Sequence, residues 1–408
     1  MRVLVAGAGV GGLAVARGLV AAGHHVRVFE QADGPRTSGG ALTLWSNGAG
    51  IAAELGVPLD GEGAPVDALV QYAFDGRRLL RLDAAPAIRR YGRQHVCLPR
   101  WRLIRLLADG LPDGTVSFEK VCTGLSYDGD GARLDFSDGS SETGDVLVGA
   151  DGRHSAVRRA LWGRDSGGPV RGPAHVAAGD AGDARVRDLS KRAGRSGDPG
   201  EPSGWATWQG SCRVPLGLAE RREGMLIVGR EGTCGLMPAG RNLVQWWFDR
   251  RWAPGDPLPE RPAHDLRQRF GHWAPPVPEV LAAIDGDVEF FPHYRHRVPR
   301  VWGKGPCTLV GDAAHTMPPA HAQGANQALE DAWALVPALR NTADLPSALR
   351  RYERERSRRA ARIALASGTE YVNRYLPVLS RLVPDRLTGP AYTWWLRHIS
   401  DYLSNLPR

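Results

Sequence analysis

The chain has 408 residues, 42% of them hydrophobic and 24% charged, the balance of a globular protein with more than one core. It contains no run of eighteen or more apolar residues, which argues against a membrane-spanning helix. The net charge of +8 is spread along the chain, and its densest basic stretch, RRYERERSRRAAR (350–362), interleaves glutamates, so nucleic acid is not an expected partner. The cysteines, at 97, 122, 212, 234 and 307, include no CxxC pair, which argues against a disulfide framework or a structural zinc site.

The N-terminus, MRVLVAGAG, enters an apolar strand at once, so no cleavable leader is read and a cytoplasmic location is expected. RVLVA (2–6) suits a buried parallel strand. A glycine turn follows, then a helix ending near Gly23, then the strand HHVRVFE (24–30). In the turn, Gly7, Gly9 and Gly12 fit G-x-G-x-x-G, with Gly11 beside them. The first permits the tight turn, the second a close approach to a pyrophosphate, and the third close helix–strand packing. Glu30 stands eighteen residues past Gly12, where a carboxylate accepts from ribose hydroxyls. The spacing predicts a dinucleotide site without saying which dinucleotide.

AFDGRRLLRLD (73–83) alternates around an Asp-Gly turn and predicts a hairpin. GDVLVGADG (144–152) is a second strand ending in a turn, followed by a helix. Residues 164–203 are rich in Gly, Asp, Arg, Pro and Ser and are read as a mobile loop, with a substrate lid as the alternative. The aromatic strands of 204–252 predict a second, mostly antiparallel sheet. PCTLVGDAAH (306–315) is a third strand–turn, with Asp312 placed to accept from a sugar or ribityl hydroxyl. Gly324, Ala325 and Asn326 open the helix after it. One parallel sheet would gather all three turns at its carboxyl edge, where α/β ligands bind.

These blocks, together with PRTSGGALTLWSNG (35–48), resemble the single-component FAD-dependent aromatic hydroxylases of the p-hydroxybenzoate and salicylate hydroxylase type. The resemblance spans residues 1 to about 360. It implies an α/β fold: a Rossmann-type FAD-binding domain with an inserted, mostly antiparallel β-sheet substrate domain and C-terminal helices. The expected division gives 1–70, 96–163 and 296–365 to the FAD domain, 71–95 and 164–295 to the substrate domain, and 366–408 to a helical tail. It implies that Gly9, Gly12, Glu30 and Arg36 hold the ADP half of FAD, and that Arg100 reaches the flavin side. Asp151, Gly152 and Arg158 match a block tied to FAD and NAD(P)H, Asp312 would hold the ribityl chain, and Pro319, Gly324, Ala325 and Asn326 would lie beside the ring. NAD(P)H would visit transiently as reductant, and O2 would supply the oxygen atom delivered to a small substrate.

Gln209 stands where many relatives carry arginine. Trp208 and one of Trp246 and Trp247 are expected to wall a flat pocket, with plain core packing as the alternative, since neighbours on a strand face opposite ways. His293 and Tyr294 are candidate bases for a phenol-type substrate. His293, His296 and His315 form no metal-ligand pattern. A halogenase is disfavoured because WATWQG is W-x-x-W and lysine occurs only at 120, 191 and 304. Epoxidation, N-hydroxylation and Baeyer–Villiger oxidation remain open, as does a non-catalytic flavin-binding role.

Overall fold

The computed structural model describes residues 1–37, 39–128, 131–162, 187–188, 200–214, 216–340, 342–375, 380 and 382–407. A five-stranded parallel sheet runs in the order Cys307–Leu309, Val146–Gly149, Arg2–Ala6, His25–Phe29, Val116–Ser117. Val3, Leu4, Val5 and Val146 to Val148 have no solvent exposure, as a parallel strand covered on both faces requires. The helices Val10–Ala21 and Gly324–Arg340 pack together through glycines: a Cβ on Gly11 would lie 3.4 Å from Ala328 Cβ, and one on Gly18 would lie 2.7 Å from Val336. A three-stranded antiparallel sheet, Cys122–Tyr127, Ala132–Phe136 and Ser141–Gly144, packs near the same core, with Phe136 4.8 Å from Phe29 between ring centroids.

The second large sheet has eight strands: Arg187–Asp188, Glu289–Arg295, Glu201–Arg213, Leu243–Arg251, Thr233–Pro238, Glu223–Val228, Ala68–Ala73 and Arg78–Asp83. It is antiparallel except where Ala68–Ala73 meets Glu223–Val228 and where Arg187–Asp188 meets Glu289–Arg295. The predicted hairpin at 73–83 forms here. Its first strand straddles the boundary drawn at residue 70. Most of the 164–203 loop lies outside the described residues, while residues 201–203 open a strand of this sheet.

Side-chain alternation divides this sheet into two faces. One face packs on the helices Pro262–Phe270 and Val277–Ala282, forming a core of its own with Trp208, Trp246, Phe248, Phe290, Leu266 and Val280. The other face turns to the parallel-sheet half, where Met237, Leu243 and Trp247 join that half's core. The tail adds the helix Asp385–Ile399, which packs mainly on the strand Arg78–Asp83 and the helix Ala85–Tyr91, and the helix Asp401–Asn405, tied to the long helix Leu345–Gly368 through Asp401. Among the described residues no helix is long and apolar enough to cross a membrane.

Candidate active site

The first glycine turn is built as its spacing requires. Gly7 has φ +107°, and a Cβ there would lie 2.5 Å from the Ala150 carbonyl oxygen. A Cβ on Gly12 would lie 2.0 Å from the Gly7 oxygen, so the helix seats on the strand only without a side chain. Gly9 differs: among the described residues nothing lies within 4 Å of where its Cβ would stand. Close packing at 7 and 12 thus holds open a space at 9. Glu30 sits beneath the turn: its Oε2 accepts from the Ala8 N–H at 2.8 Å and its Oε1 from the Ala32 N–H at 3.0 Å.

The two later turns meet beside it, because their strands are neighbours in the parallel sheet. Asp151 accepts through one oxygen from the N–H groups of Ala156 and Val157, at 2.6 and 3.1 Å, and so caps the helix Ala156–Trp162. Arg158 donates to the carbonyls of Arg153 and Ala313 at 2.6 and 2.7 Å. These two residues therefore shape the turns. Gly152 supplies a positive φ of +77° between them. Gly311, with φ +59°, leads into Asp312, whose side chain is exposed although Gly311, Ala313 and Ala314 are buried.

Gly324 begins the next long helix, and among the described residues nothing lies within 4 Å of where its Cβ would stand. Ala325 follows on it, and Pro319 lies on an accessible turn, Pro319–His321. Asn326 is buried and its amide is fully engaged. Its Oδ1 accepts from the Trp45 N–H at 3.0 Å, and its Nδ2 donates to the carbonyls of Thr43 and Ala322, each at 2.9 Å. It clamps the strand Ala41–Leu44 to the helix rather than offering its side chain to a ligand.

Opposite these turns lies the inner face of the eight-stranded sheet. The backbone at Gly39 and Gly40, which leads into the strand Ala41–Leu44, lies against that face. A Cβ on Gly39, which has φ +120°, would lie 3.4 Å from Arg36 Nη1 and 3.5 Å from Glu289 Oε1. One on Gly40 would lie 3.0 Å from the Gln245 amide and 3.4 Å from that of Gln209. Gln245 Oε1 accepts from the Ala41 N–H at 2.5 Å, and Gln209 Nε2 donates to Glu289 Oε2 at 3.0 Å. Arg100 remains accessible to solvent although protein surrounds it. Burial and then Arg36 lower its pKa, while Asp312 and Glu289 act against them. Arg36, Arg100, Asp312, Glu289, Gln209 and Gln245 thus face one cleft between the halves.

Of the expected aromatic wall, Trp247 lies on the inner face and Trp208 does not, core packing holding for it instead. Trp208 and Trp246 are each 1% exposed and lie in the outer core, against Phe290 and Phe248. A strand's period of two puts Gln209 and Trp247 on the inner face instead. Trp247 lies flat on the sheet: a Cβ on Gly235 would come within 1.9 Å of its ring, so glycine makes the room. Tyr294 stacks under Arg153, with the guanidinium 5.0 Å from the ring centroid. His293 is buried and bonded to Thr207 and Glu370. Sequence reading missed Gln245, Glu289, Thr207, Asp249 and Glu370. Only the alternation of the strands hinted at the first four. Among the described residues no group of three or more His, Cys, Asp and Glu is placed to hold a metal ion.

Open backbone at Gly9 and Gly324, each at a helix start, suits phosphates. Accessible Arg36, Arg100 and Asp312 add the charges and acceptors that a long dinucleotide with a flat ring would use, so the residues present fit FAD. A family model described as an FAD binding domain matches residues 1–176 and 280–367. The chain belongs to this family. It is 30% identical over 384 residues to an FAD-dependent urate hydroxylase of Klebsiella pneumoniae, covering 90% of this chain and 88% of that one. A 3-amino-4-hydroxybenzoate 2-monooxygenase of Streptomyces platensis is 33% identical over 371 residues, covering 86% and 83%. A Klebsiella pneumoniae structure solved with FAD and uric acid superposes with a TM-score of 0.77 at 27% identity, covering 98% of this chain and 93% of that one. The chain is an FAD-dependent monooxygenase that uses NAD(P)H and O2 to put one oxygen atom into a small organic substrate.

Proposed function

We propose that this monooxygenase hydroxylates a flat aromatic or heteroaromatic ring bearing an N–H or O–H group, held at the inner face of the eight-stranded sheet. The observation that carries the reading is the Gln209–Glu289 pair. A carboxylate only accepts hydrogen bonds, so it favours a donor on the ring and repels a carboxylate placed against it. The neighbouring amide of Gln209 can both donate and accept. The N–H and O–H groups on the rings in the relatives' names, urate and 3-amino-4-hydroxybenzoate, support the requirement for a ring donor.

When bound, FAD supplies the electron transfer from NAD(P)H and the activation of O2. The chain's own residues do the rest. Gly7, Gly9, Gly12, Glu30 and the starts of two helices cradle the dinucleotide, with Arg36, Arg100 and Asp312 completing its polar contacts. Gln209 and Glu289 orient the ring, and Trp247, Met237 and Leu243 exclude water from that face. The reading as a cytoplasmic enzyme rests on the need for NAD(P)H and on five free cysteines, the usual state in a reducing compartment.

The test is NAD(P)H consumption with a panel of ring compounds and mass detection of the product. Compounds with a ring N–H or O–H are expected to stimulate consumption and gain one oxygen atom. E289Q should raise KM for them about tenfold or more, the worth of a hydrogen bond to a charged group. Q209R should shift preference toward carboxylate-bearing rings. Equal turnover of donor-free rings, with KM unchanged in E289Q, would sink the ring-donor reading.

A further inference from the structure

A second polar cluster lies on the same inner face, one row along from the Gln209–Glu289 pair. Thr207 is two residues from Gln209 on its strand, and His293 is four from Glu289 on the next, so all four side chains point the same way. Asp249 is the direct cross-strand partner of Thr207. Glu370 reaches in from the segment after the long helix, at a buried left-handed residue with φ +50°. Such a conformation in a non-glycine residue persists only where surrounding contacts impose it.

The hydrogen bonds allow only a few arrangements. Glu370 accepts from Ser203 Oγ at 2.8 Å, from Asn373 Nδ2 at 3.0 Å and from His293 Nδ1 at 2.9 Å. Glu370 accepts from all three, so His293 donates to it from Nδ1. On the other side, Thr207 Oγ1 lies 2.7 Å from His293 Nε2 and is also bonded to Asp249 Oδ1. A threonine hydroxyl has one proton to give. Either His293 Nε2–H donates to Thr207 while Thr207 donates to an Asp249 carboxylate, or a protonated Asp249 donates to Thr207 while Thr207 donates to Nε2. The two arrangements differ by moving one proton through the hydroxyl, with no change in total charge.

We propose that Thr207 couples Asp249 and His293 into a unit that stores one exchangeable proton beside the substrate pocket and releases it into the reaction. Oxygen insertion balances as ring C–H + O2 + NAD(P)H + H⁺ giving ring C–OH + NAD(P)⁺ + H2O. Each turnover therefore consumes a proton at a face where Trp247, Met237 and Leu243 pack into the core. The cluster is a set of buried titratable groups on the pocket face. Thr233 Oγ1, on the strand paired with Asp249, and Asn373 Oδ1 are buried beside it with no hydrogen-bond partner among the described residues. Half-buried Ser203 marks the side from which the proton would be restored.

Burial pushes the Asp249 carboxyl up to about 6, opposed by His293 and Thr207 and reinforced by Glu370. The other titratable groups around the cluster are His321, bonded to Ser367 at 3.2 Å, Arg295 beside Gly368, and Cys234 on the neighbouring strand. An acid with a raised pKa is protonated below that value and loses its proton above it. The stored proton is thus present at pH 5 and lost as the pH passes through about 6.

The inference rests on the oxygen-insertion reaction and not on the ring chemistry, so the E289Q and Q209R results leave it standing or falling by itself. Infrared difference spectra of the holoenzyme between pH 5 and pH 7.5 should show the C=O stretch of a buried carboxylic acid disappearing as pH rises. D249N should abolish that band. T207V, which keeps the shape and removes the hydroxyl, should move its midpoint and lower kcat about a hundredfold, as loss of proton delivery does, with KM unchanged. T207S should restore both. An identical titration in wild type, T207V and D249N would overturn the proposal, as would a T207S variant no better than T207V.

Discussion

Replacing Arg356 by methionine is expected to cost about 3–5 kcal/mol of stability, the usual result of removing one partner from a buried ionic cluster, and to release FAD. The Arg356 side chain has no solvent exposure, and its guanidinium is fully shared. Nε donates to Asp331 Oδ1 at 2.8 Å, Nη1 to Asp401 Oδ2 at 2.8 Å, and Nη2 to Gln327 Oε1 at 2.8 Å. Glu330 lies 3.8 Å away. Burial alone would lower the arginine's pKa, but Asp331, Glu330 and Asp401 together raise it. Asp331 in turn accepts through its other oxygen from the Gly311 N–H at 2.7 Å and contacts His315 Nε2 at 2.6 Å. The residues on either side of Asp312 are thus anchored to a carboxylate that Arg356 holds in place. Arg356 is a positioning residue: it touches the cofactor site only through Asp331 and the turn.

The pH dependence follows with a definite sign. Burial would raise the Asp331 carboxyl, yet His315 and Arg356 outweigh it and hold it below the usual range. In the wild type this group contributes stability above the unfolded carboxylate pKa, about 3.9, and the contribution is lost as pH falls through the folded value. In R356M, Glu330, which burial already raises, has lost its cation and binds protons more tightly folded than unfolded. The variant should therefore lose stability as pH rises from 5 toward 8. Thermal unfolding across that range, with flavin fluorescence reporting FAD release, checks both effects. R356K, which keeps the charge without the planar fork, should recover only part of the loss. A variant that melts and binds FAD like the wild type would remove Arg356 from this role.

G12A and G9A should separate two meanings of glycine in one turn. At Gly12 an added methyl would stand 2.0 Å from the Gly7 carbonyl oxygen, which is backbone and cannot swing aside. The helix must lift from the strand, so G12A is expected to destabilise the protein by about 1–3 kcal/mol or more and to abolish tight FAD binding. At Gly9 the same methyl meets nothing within 4 Å among the described residues. G9A should leave the melting temperature of the FAD-free protein unchanged while weakening FAD binding, because the methyl occupies the space offered to the pyrophosphate. Melting curves of the FAD-free proteins and fluorescence titrations with FAD decide it. Equal loss of stability in both variants would show that the space at Gly9 is not reserved for a ligand.

The glycine turns were legible because each requirement is local. A tight turn, a close backbone approach and a strand-end carboxylate all fall within thirty residues; the structure builds the packing at Gly7 and Gly12 accordingly, and Glu30 holds the Ala8 and Ala32 N–H groups beneath the turn. The substrate face was legible only by half. A period of two says that Trp246 and Trp247 face opposite ways, but not which face meets the cleft. That choice was made by Ala41 and Gly40 docking on Gln245 and Gln209, contacts that cross some two hundred residues of chain. Likewise Asn326 and Arg158, taken from family resemblance as cofactor contacts, bond backbone groups both nearby, at Ala322 and Arg153, and far along the chain, at Trp45, Thr43 and Ala313. The partners of His293 come from three separate segments, at Thr207, Asp249 and Glu370, and no spacing within one segment announces them.

The two-faced sheet has a consequence for how such an enzyme changes its diet. Odd-numbered positions of its central strand Glu201–Arg213, such as Thr207 and Gln209, meet the cleft, while the even-numbered Trp208 and Cys212 belong to a separate core under two helices. Selectivity and foldability are therefore written on interleaved letters of the same strand. A library that varies every second residue could retune what is oxidised while leaving intact the packing that keeps the sheet together. Drift in nature could do the same, one tolerated step at a time.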